Sequence, residues 1–319
     1  MKRYAMFLAA LLVGTVFGTV LEAAPGQASN LGLQVNALPS SARAGAAVYL
    51  TGTAPSGRVA VMQVLRGGSW LTISGQSGAG AAFKFRVPTG YYGIRTLRAM
   101  SPPAGLLSGE IDGDAQTVRV LPGYTPQGYR SQSITADNGY RWNPCAVIHY
   151  RVNLAGMSST NLKLIRNALR KVHLATGLQF SYAGGSRVLP FGGAWNRSVP
   201  TSGLYFAFAT ATTVPAIKGL AGLGGEGALV TTSSGSKVVA SGGVTLAKGW
   251  WKKLYSGFKN GPSKGSLLLH EIGHAVGLMH VGNKPEIMYP VLGPWSYGHY
   301  GWGDLAGLQQ LGADQGCLR

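Results

Sequence analysis

Three of the chain's six histidines and one of its ten acids fall within eleven residues, HEIGHAVGLMH, from His270 to His280. On a helix, His270 and His274 stand about one turn apart, so both imidazoles project from one face toward a common point, with Glu271 beside them. Gly277 can take the left-handed conformation that ends a helix and turns the chain, and His280 then reaches the same point from another direction. Three neutral ring nitrogens with a fourth position left open are the donor set of a catalytic zinc ion, not of a closed structural one. A zinc ion there lowers the pKa of its water toward about 7, and Glu271 is placed to act as general base and then general acid in a hydrolysis. A random chain of this composition would carry H-[acid]-x-x-H-x-x-G-x-x-H about once in a hundred thousand sequences, which removes chance as an explanation. Core packing fails as well, because three converging imidazoles without a metal would be desolvated for no return.

The elements that must carry these residues are legible around them. SLLLHEIGHAVGL has Leu268, Leu269, Ile272, Ala275 and Val276 at the spacing of a buried helix face. Upstream, RWNPCAVIHYRVN contains a strand from Val147 and Ile148 through Val152. SSTNLKLIRNALRKVHLATG is a helix with Ser/Thr at its start, Leu162, Ile165, Leu169 and Val172 on one face, and Gly177 as its stop. His173 on that helix is expected at the surface or its boundary. LYFAFAT and GGVTLAKGW are strands across a Gly-rich middle, so residues 138–319 should form an α+β domain.

Residues 29–122 follow different rules. AAVYLTGTAP, RVAVMQVL, SWLTISG, AAFKFRVP, GIRTLRAM and TVRVLP alternate with period two and are broken by turns every eight to twelve residues, as a β-sandwich requires. Val48, Leu50, Val59, Val61, Phe83 and Phe85 are the expected inward residues, and no helix is expected. Residues 123–137 lack periodicity and read as a linker. Before all of this, Lys2 and Arg3 precede an apolar run from Tyr4 to Val20 and small residues ending at Ala28, the layout of a signal peptide over residues 1–28; the alternative is an uncleaved membrane anchor, against which Gly14, Gly18 and the small-residue exit weigh. No later segment is long and apolar enough to span a bilayer. Export makes Cys145 and Cys317 a candidate disulfide, closing a loop that chain-entropy models credit with about 4 to 5 kcal/mol.

The zinc motif, HExxHxxGxxH as HEIGHAVGLMH, resembles that of the metzincin metalloproteases, and Ile287-Met288-Tyr289-Pro290 resembles the Met-turn of their matrixin branch. GDLAGLQQLG is similar to the matrixin C-terminal helix, although only Asp304 stands where many members have a pair of acids. RWNPCAVIHYRVN and ATGLQFSY are similar to the first strand and first helix exit of bacterial matrixin-like domains, so the resemblance spans about residues 135–319. ARAGAAVYLTGTAPSGRVAVMQVLRGGSWLTI with AAFKFRVPTGYYGIRTLRA resembles bacterial immunoglobulin-like modules.

These resemblances imply an immunoglobulin-like all-β sandwich followed by an α+β metzincin-like zinc protease domain with a mixed twisted sheet and about three helices. They imply cleavage of a protein or peptide substrate lying extended beside an edge strand that includes Gly219 to Leu223. His270, His274 and His280 would hold the zinc, Glu271 would move the proton, and Met288 would form a floor under the histidines. Tyr289 would be packing or pocket wall, and His299 a loop residue near a specificity pocket within Val291 to Gly303. No cysteine-switch motif precedes the domain. Between Ser186 and Gly261 the only candidate ligand among His, Asp and Glu is Glu226, and Gly222 stands where a structural-zinc histidine would be; one zinc and no strong calcium site are therefore expected.

The net charge of +18 is spread over both halves. It suits anionic partners such as cell-envelope polymers, while no interleaving of basic and aromatic residues points to specific nucleic-acid binding. An exported enzyme, free or associated with the cell surface, is one reading. The other is an envelope- or matrix-binding or adhesion protein whose protease domain is inactive or incidental, against which the intact Glu271 weighs.

Overall fold

The computed structural model describes residues 32–106, 108–128 and 139–319; the expected signal peptide and most of the expected linker lie outside the described residues. The N-terminal part is built from β1 (Gln34–Val35), β2 (Ser41–Arg43), β3 (Tyr49–Thr53), β4 (Val61–Arg66), β5 (Ser69–Thr72), β6 (Ala82–Arg86), β7 (Gly93–Ser101), β8 (Ile111–Asp112) and β9 (Gln116–Leu121). One sheet has the order β1-β3-β6, the other β2-β9-β7-β4-β5 with β8 on β7. Leu50 and Phe83 of the first sheet meet Met62, Val64, Leu97, Ala99 and Val118 of the second in one buried cluster, so the alternating runs do form facing sheets. All six runs contain a strand, and no helix occurs among the described residues of this part.

The expected parity of one strand is wrong. In β4, Met62 and Val64 enter the shared core, Val61 is buried outside that cluster, and Val59 lies ahead of the strand, half-buried. Side chains alternate across a strand, so neighbours 61 and 62 cannot both face the same core. The text AVMQVL is apolar at both parities, and only the facing sheet decides which set goes in.

The C-terminal part comprises β10 (Arg141–Trp142), β11 (Val147–Asn153), α1 (Thr160–Thr176), β12 (Gln179–Gly185), α2 (Gly193–Arg197), β13 (Gly203–Ala209), β14 (Gly222–Glu226), β15 (Leu229–Thr231), β16 (Lys237–Val239), β17 (Ser241–Ala247), α3 (Lys248–Lys253), α4 (Lys264–Val276) and α5 (Trp302–Leu311). The main sheet runs β12-β11-β13-β17-β14, parallel except for β14, which is antiparallel to β17 at the edge. The sheet is mixed, as expected, and three long helices are joined by the short α2 and α3. Ile165, Leu169 and Val172 of α1 pack with Ile148 and Val152 of β11 and with Leu268, Leu269 and Ile272 of α4 in a single core. Gly177 ends α1 at φ +77°, donating its N–H to the carbonyl of His173. No helix among the described residues is long and apolar enough to cross a membrane.

Cys145 and Cys317 form a disulfide, 172 residues apart in sequence, which ties the start of this part to its end. The two parts are also joined to each other. Arg95 of β7 is buried, with Nη1 2.8 and 2.9 Å from the two carboxylate oxygens of Asp314, just after α5. Tyr91 donates its hydroxyl to Asp314 at 3.1 Å, and the backbone N–H of Tyr92 donates to Leu174 of α1 at 2.8 Å. Tyr92 itself belongs to the C-terminal core.

Candidate metal centre

Helix α4 starts at a capping box. Ser263 Oγ accepts from the N–H of Ser266, and Ser266 Oγ accepts from the N–H of Ser263. Its apolar face, from Leu267 to Val276, is buried, which fixes the rotation of the helix and so the direction of His270 and His274. Gly277 ends it at φ +114°, where a side chain would be strained, and the chain turns back to bring in His280.

The three Nε2 atoms then form a near-equilateral triangle: 3.2 Å from His270 to His274, 3.1 Å from His274 to His280, and 3.2 Å from His280 to His270. Two of the rings have a defined tautomer. His270 Nδ1 lies 2.7 Å from the carbonyl of Ile287 and His274 Nδ1 lies 2.8 Å from that of Leu278; a carbonyl only accepts, so Nδ1 carries the proton and Nε2 presents a lone pair. Such lone pairs cannot hydrogen-bond one another, and a cation at their centre is what reconciles them. Burial lowers all three pKa values, that of His270 to about 3 and that of His274 to about 4, which keeps the rings neutral and able to ligate. This donor set fits zinc. Among the described residues it is the one group of three or more His, Cys, Asp or Glu close enough to share an ion.

Glu271 is buried against the edge strand β14. Desolvation pushes its pKa up to about 8, opposed by a hydrogen bond from the N–H of Gly224. The strand can come this close because it lacks side chains there: a Cβ at Gly222 would lie 2.6 Å from Glu271 Oε1, and one at Gly224 would strike the Glu271 backbone. The edge strand is thus Gly222–Glu226: of the expected Gly219 to Leu223, Gly222 and Leu223 lie in it and the first three residues do not. Gly219, at φ +81°, and Leu220, whose N–H donates to the carbonyl of Ile217, form the turn leading into it.

Met288 is buried with its sulfur against Gly273 of α4, where any Cβ would collide with it. Its turn is held from α5. Asp304 accepts from the N–H groups of Ile287 at 2.7 Å, Met288 at 3.1 Å and Gly301 at 2.9 Å. Glu286, buried and not foreseen from the sequence, accepts from the N–H groups of Gly303 at 3.0 Å and Asp304 at 3.1 Å. The signal that could have found it is scarcity, since one of only ten acids directly precedes the Ile-Met-Tyr-Pro turn. Tyr289 is half-buried beside Trp295, their ring centroids 6.2 Å apart. His299 lies against Tyr124, a residue of the segment arriving from the N-terminal part, with ring centroids 4.3 Å apart and the planes tilted by 45°, and His173 is half-buried with Nδ1 2.9 Å from the carbonyl of Leu178.

Comparison with known proteins finds similarity over part of the chain. Residues 208–312 match the family model described as Matrixin. A protein of Trichoplusia ni ascovirus 2c, provisionally named a matrix metalloproteinase, is 48% identical over 46 residues, which is 14% of this chain and 9% of the viral protein. Among solved structures, high choriolytic enzyme 1, a hatching enzyme zinc-protease of the medaka Oryzias latipes, aligns at 15% identity and a TM-score of 0.23, covering 49% of this chain and 55% of that one.

Proposed function

We propose that the protein is an exported zinc-dependent endopeptidase, with residues 1–28 as signal peptide, 29–122 as an immunoglobulin-like module, 123–137 as linker and 138–319 as the catalytic domain. The observation that carries this reading is the triangle of Nε2 atoms at 3.1 to 3.2 Å with a buried carboxylate on the adjacent residue of the same helix. Zinc held by His270, His274 and His280 would supply Lewis acidity, acidifying water and polarising the scissile carbonyl. Glu271 takes the proton of the attacking water and returns it to the departing amine. Strand β14 ends the main sheet, so its outer edge offers backbone groups to an extended peptide.

The experiment is incubation of the full-length chain with a peptide library, with and without a chelator. Cleavage that stops with the chelator and returns with added zinc is expected; a zinc-loaded protein that cuts nothing overturns the reading. A finer check uses Gly222→Ala. The added methyl would press on Glu271 Oε1 from 2.6 Å. Because a displacement of about 1 Å can cost about 100-fold, kcat should fall about 10- to 100-fold with KM changed much less. Steady-state kinetics on one cleaved peptide decides it.

A further inference from the structure

We propose that Glu286 is a positioning residue for the metal centre: with Asp304 it forms a buried pair of carboxyl groups that clasps the turn whose carbonyl orients His270. This rests on the zinc reading above but concerns a different residue.

The clasp is reciprocal. The turn contributes the Glu286 carboxyl to two backbone N–H groups at the start of α5, those of Gly303 and Asp304. Helix α5 contributes the Asp304 carboxyl to two N–H groups of the turn, those of Ile287 and Met288. The next atom along is the carbonyl of Ile287, 2.7 Å from His270 Nδ1. An error in the turn is therefore passed to the ring that must aim Nε2 at the metal, which is how an outer partner controls a ligand. Glu286 and Asp304 are 1% and 0% exposed, so neither hydrogen-bond set is exchanged for water. Room for Glu286 depends on Gly128 and Gly301, since a Cβ at either would strike its oxygens.

The charge on this pair is constrained. Five backbone N–H groups serve the two carboxyls, and neither carboxyl is in a salt bridge among the described residues. The ionisable groups near them are Tyr300, ahead of α5, and Tyr124, from the segment crossing over from the N-terminal part; burial raises both phenols' pKa values, so they stay neutral. Two adjacent anions in such a site repel, and the pair retains one proton. Desolvation, followed by the charge of Asp304, pushes Glu286 up to about 8.

Two variants test the proposal in the full-length chain. Glu286→Ala opens the clasp, and zinc affinity, read by competition with a chromophoric chelator, should fall about 10- to 100-fold, the usual cost of losing an outer partner. Glu286→Gln is neutral and keeps one acceptor oxygen, enough for one of the two N–H groups that the carboxyl serves, and should recover part of that loss. The second readout is thermal unfolding of the metal-free proteins against pH. A proton held by folded Glu286 up to about pH 8, but by the unfolded chain only up to its ordinary value of 4.5, stabilises the fold at low pH, and that contribution fades as pH rises between the two. Glu286→Gln has no such proton, so the Tm difference between Gln and wild type should shift in favour of Gln across that window.

A folded Glu286→Ala protein with wild-type zinc affinity overturns the proposal. So does a Tm difference between Gln and wild type that is flat with pH, which remains readable if the Ala variant does not fold. Failure of the wild type itself to bind zinc would instead overturn the zinc reading.

Discussion

Glu271→Gln should bind zinc as tightly as the wild type and cleave peptides about 10³- to 10⁴-fold more slowly. The side chain is not among the three converging nitrogens, so the donor set survives the change. The carboxamide can still accept the hydrogen bond that Gly224 donates, so the contact between α4 and β14 also survives. What is lost is the ability to take up and return a proton, and a positioned general acid and base contributes about 10²- to 10⁴-fold. One residue serving both proton transfers places the expected effect at the upper end. Metal analysis and kinetics on the same sample separate the two properties. Wild-type turnover in this variant would remove Glu271 from the reaction, and loss of zinc would show that the carboxylate has a structural role as well.

His274→Ala is expected to lower zinc affinity by about 10²- to 10³-fold and to abolish cleavage at ordinary zinc concentrations. Structural zinc sites bind with about 10–16 kcal/mol distributed over four ligands, so one ligand represents roughly 2.5–4 kcal/mol. The fold should tolerate the change. His274 is only partly buried, and its Nε2 lies 3.2 Å from that of His270, a second acceptor, an arrangement that is unfavourable without a cation. In chelator, the variant should therefore unfold at a temperature no lower than the metal-free wild type. A variant that still retains one zinc per chain and full activity would exclude His274 as a ligand, and a large loss of stability in chelator would contradict the account of the lone pairs.

Much of the site could be read from one short stretch because its geometry is local. A spacing of four on a helix brings His270 and His274 to one face whatever surrounds them, and a glycine three residues before His280 supplies the turn. The strand and helix patterns around it were legible for the same reason, since Ile165, Leu169 and Val172 repeat at the period of the element that carries them. The bridge between Cys145 and Cys317 was accessible by count alone, there being no other pairing available.

Features that join distant segments were not accessible. Glu286 and Asp304 are 18 residues apart with no shared pattern, and their partnership exists only because α5 returns beneath the turn. That Gly222 and Gly224 leave room for Glu271 is visible only once β14 is laid against α4. The parity of β4 was ambiguous because Val61 and Met62 are both apolar, and only the opposing sheet selects Met62. Arg95 and Asp314, 219 residues apart, would each have passed for a surface charge.

By itself, then, the sequence determined the candidate ligand set, the candidate proton carrier and the identity of the main elements, because these follow from spacing along one chain segment. The tertiary structure alone decided how deeply Glu271 is desolvated, what holds the turn under His270, which face of β4 is inward and how the two parts are fastened. Each of those depends on which surfaces meet when water is expelled, and that is a property of the packed chain as a whole, not of any local period.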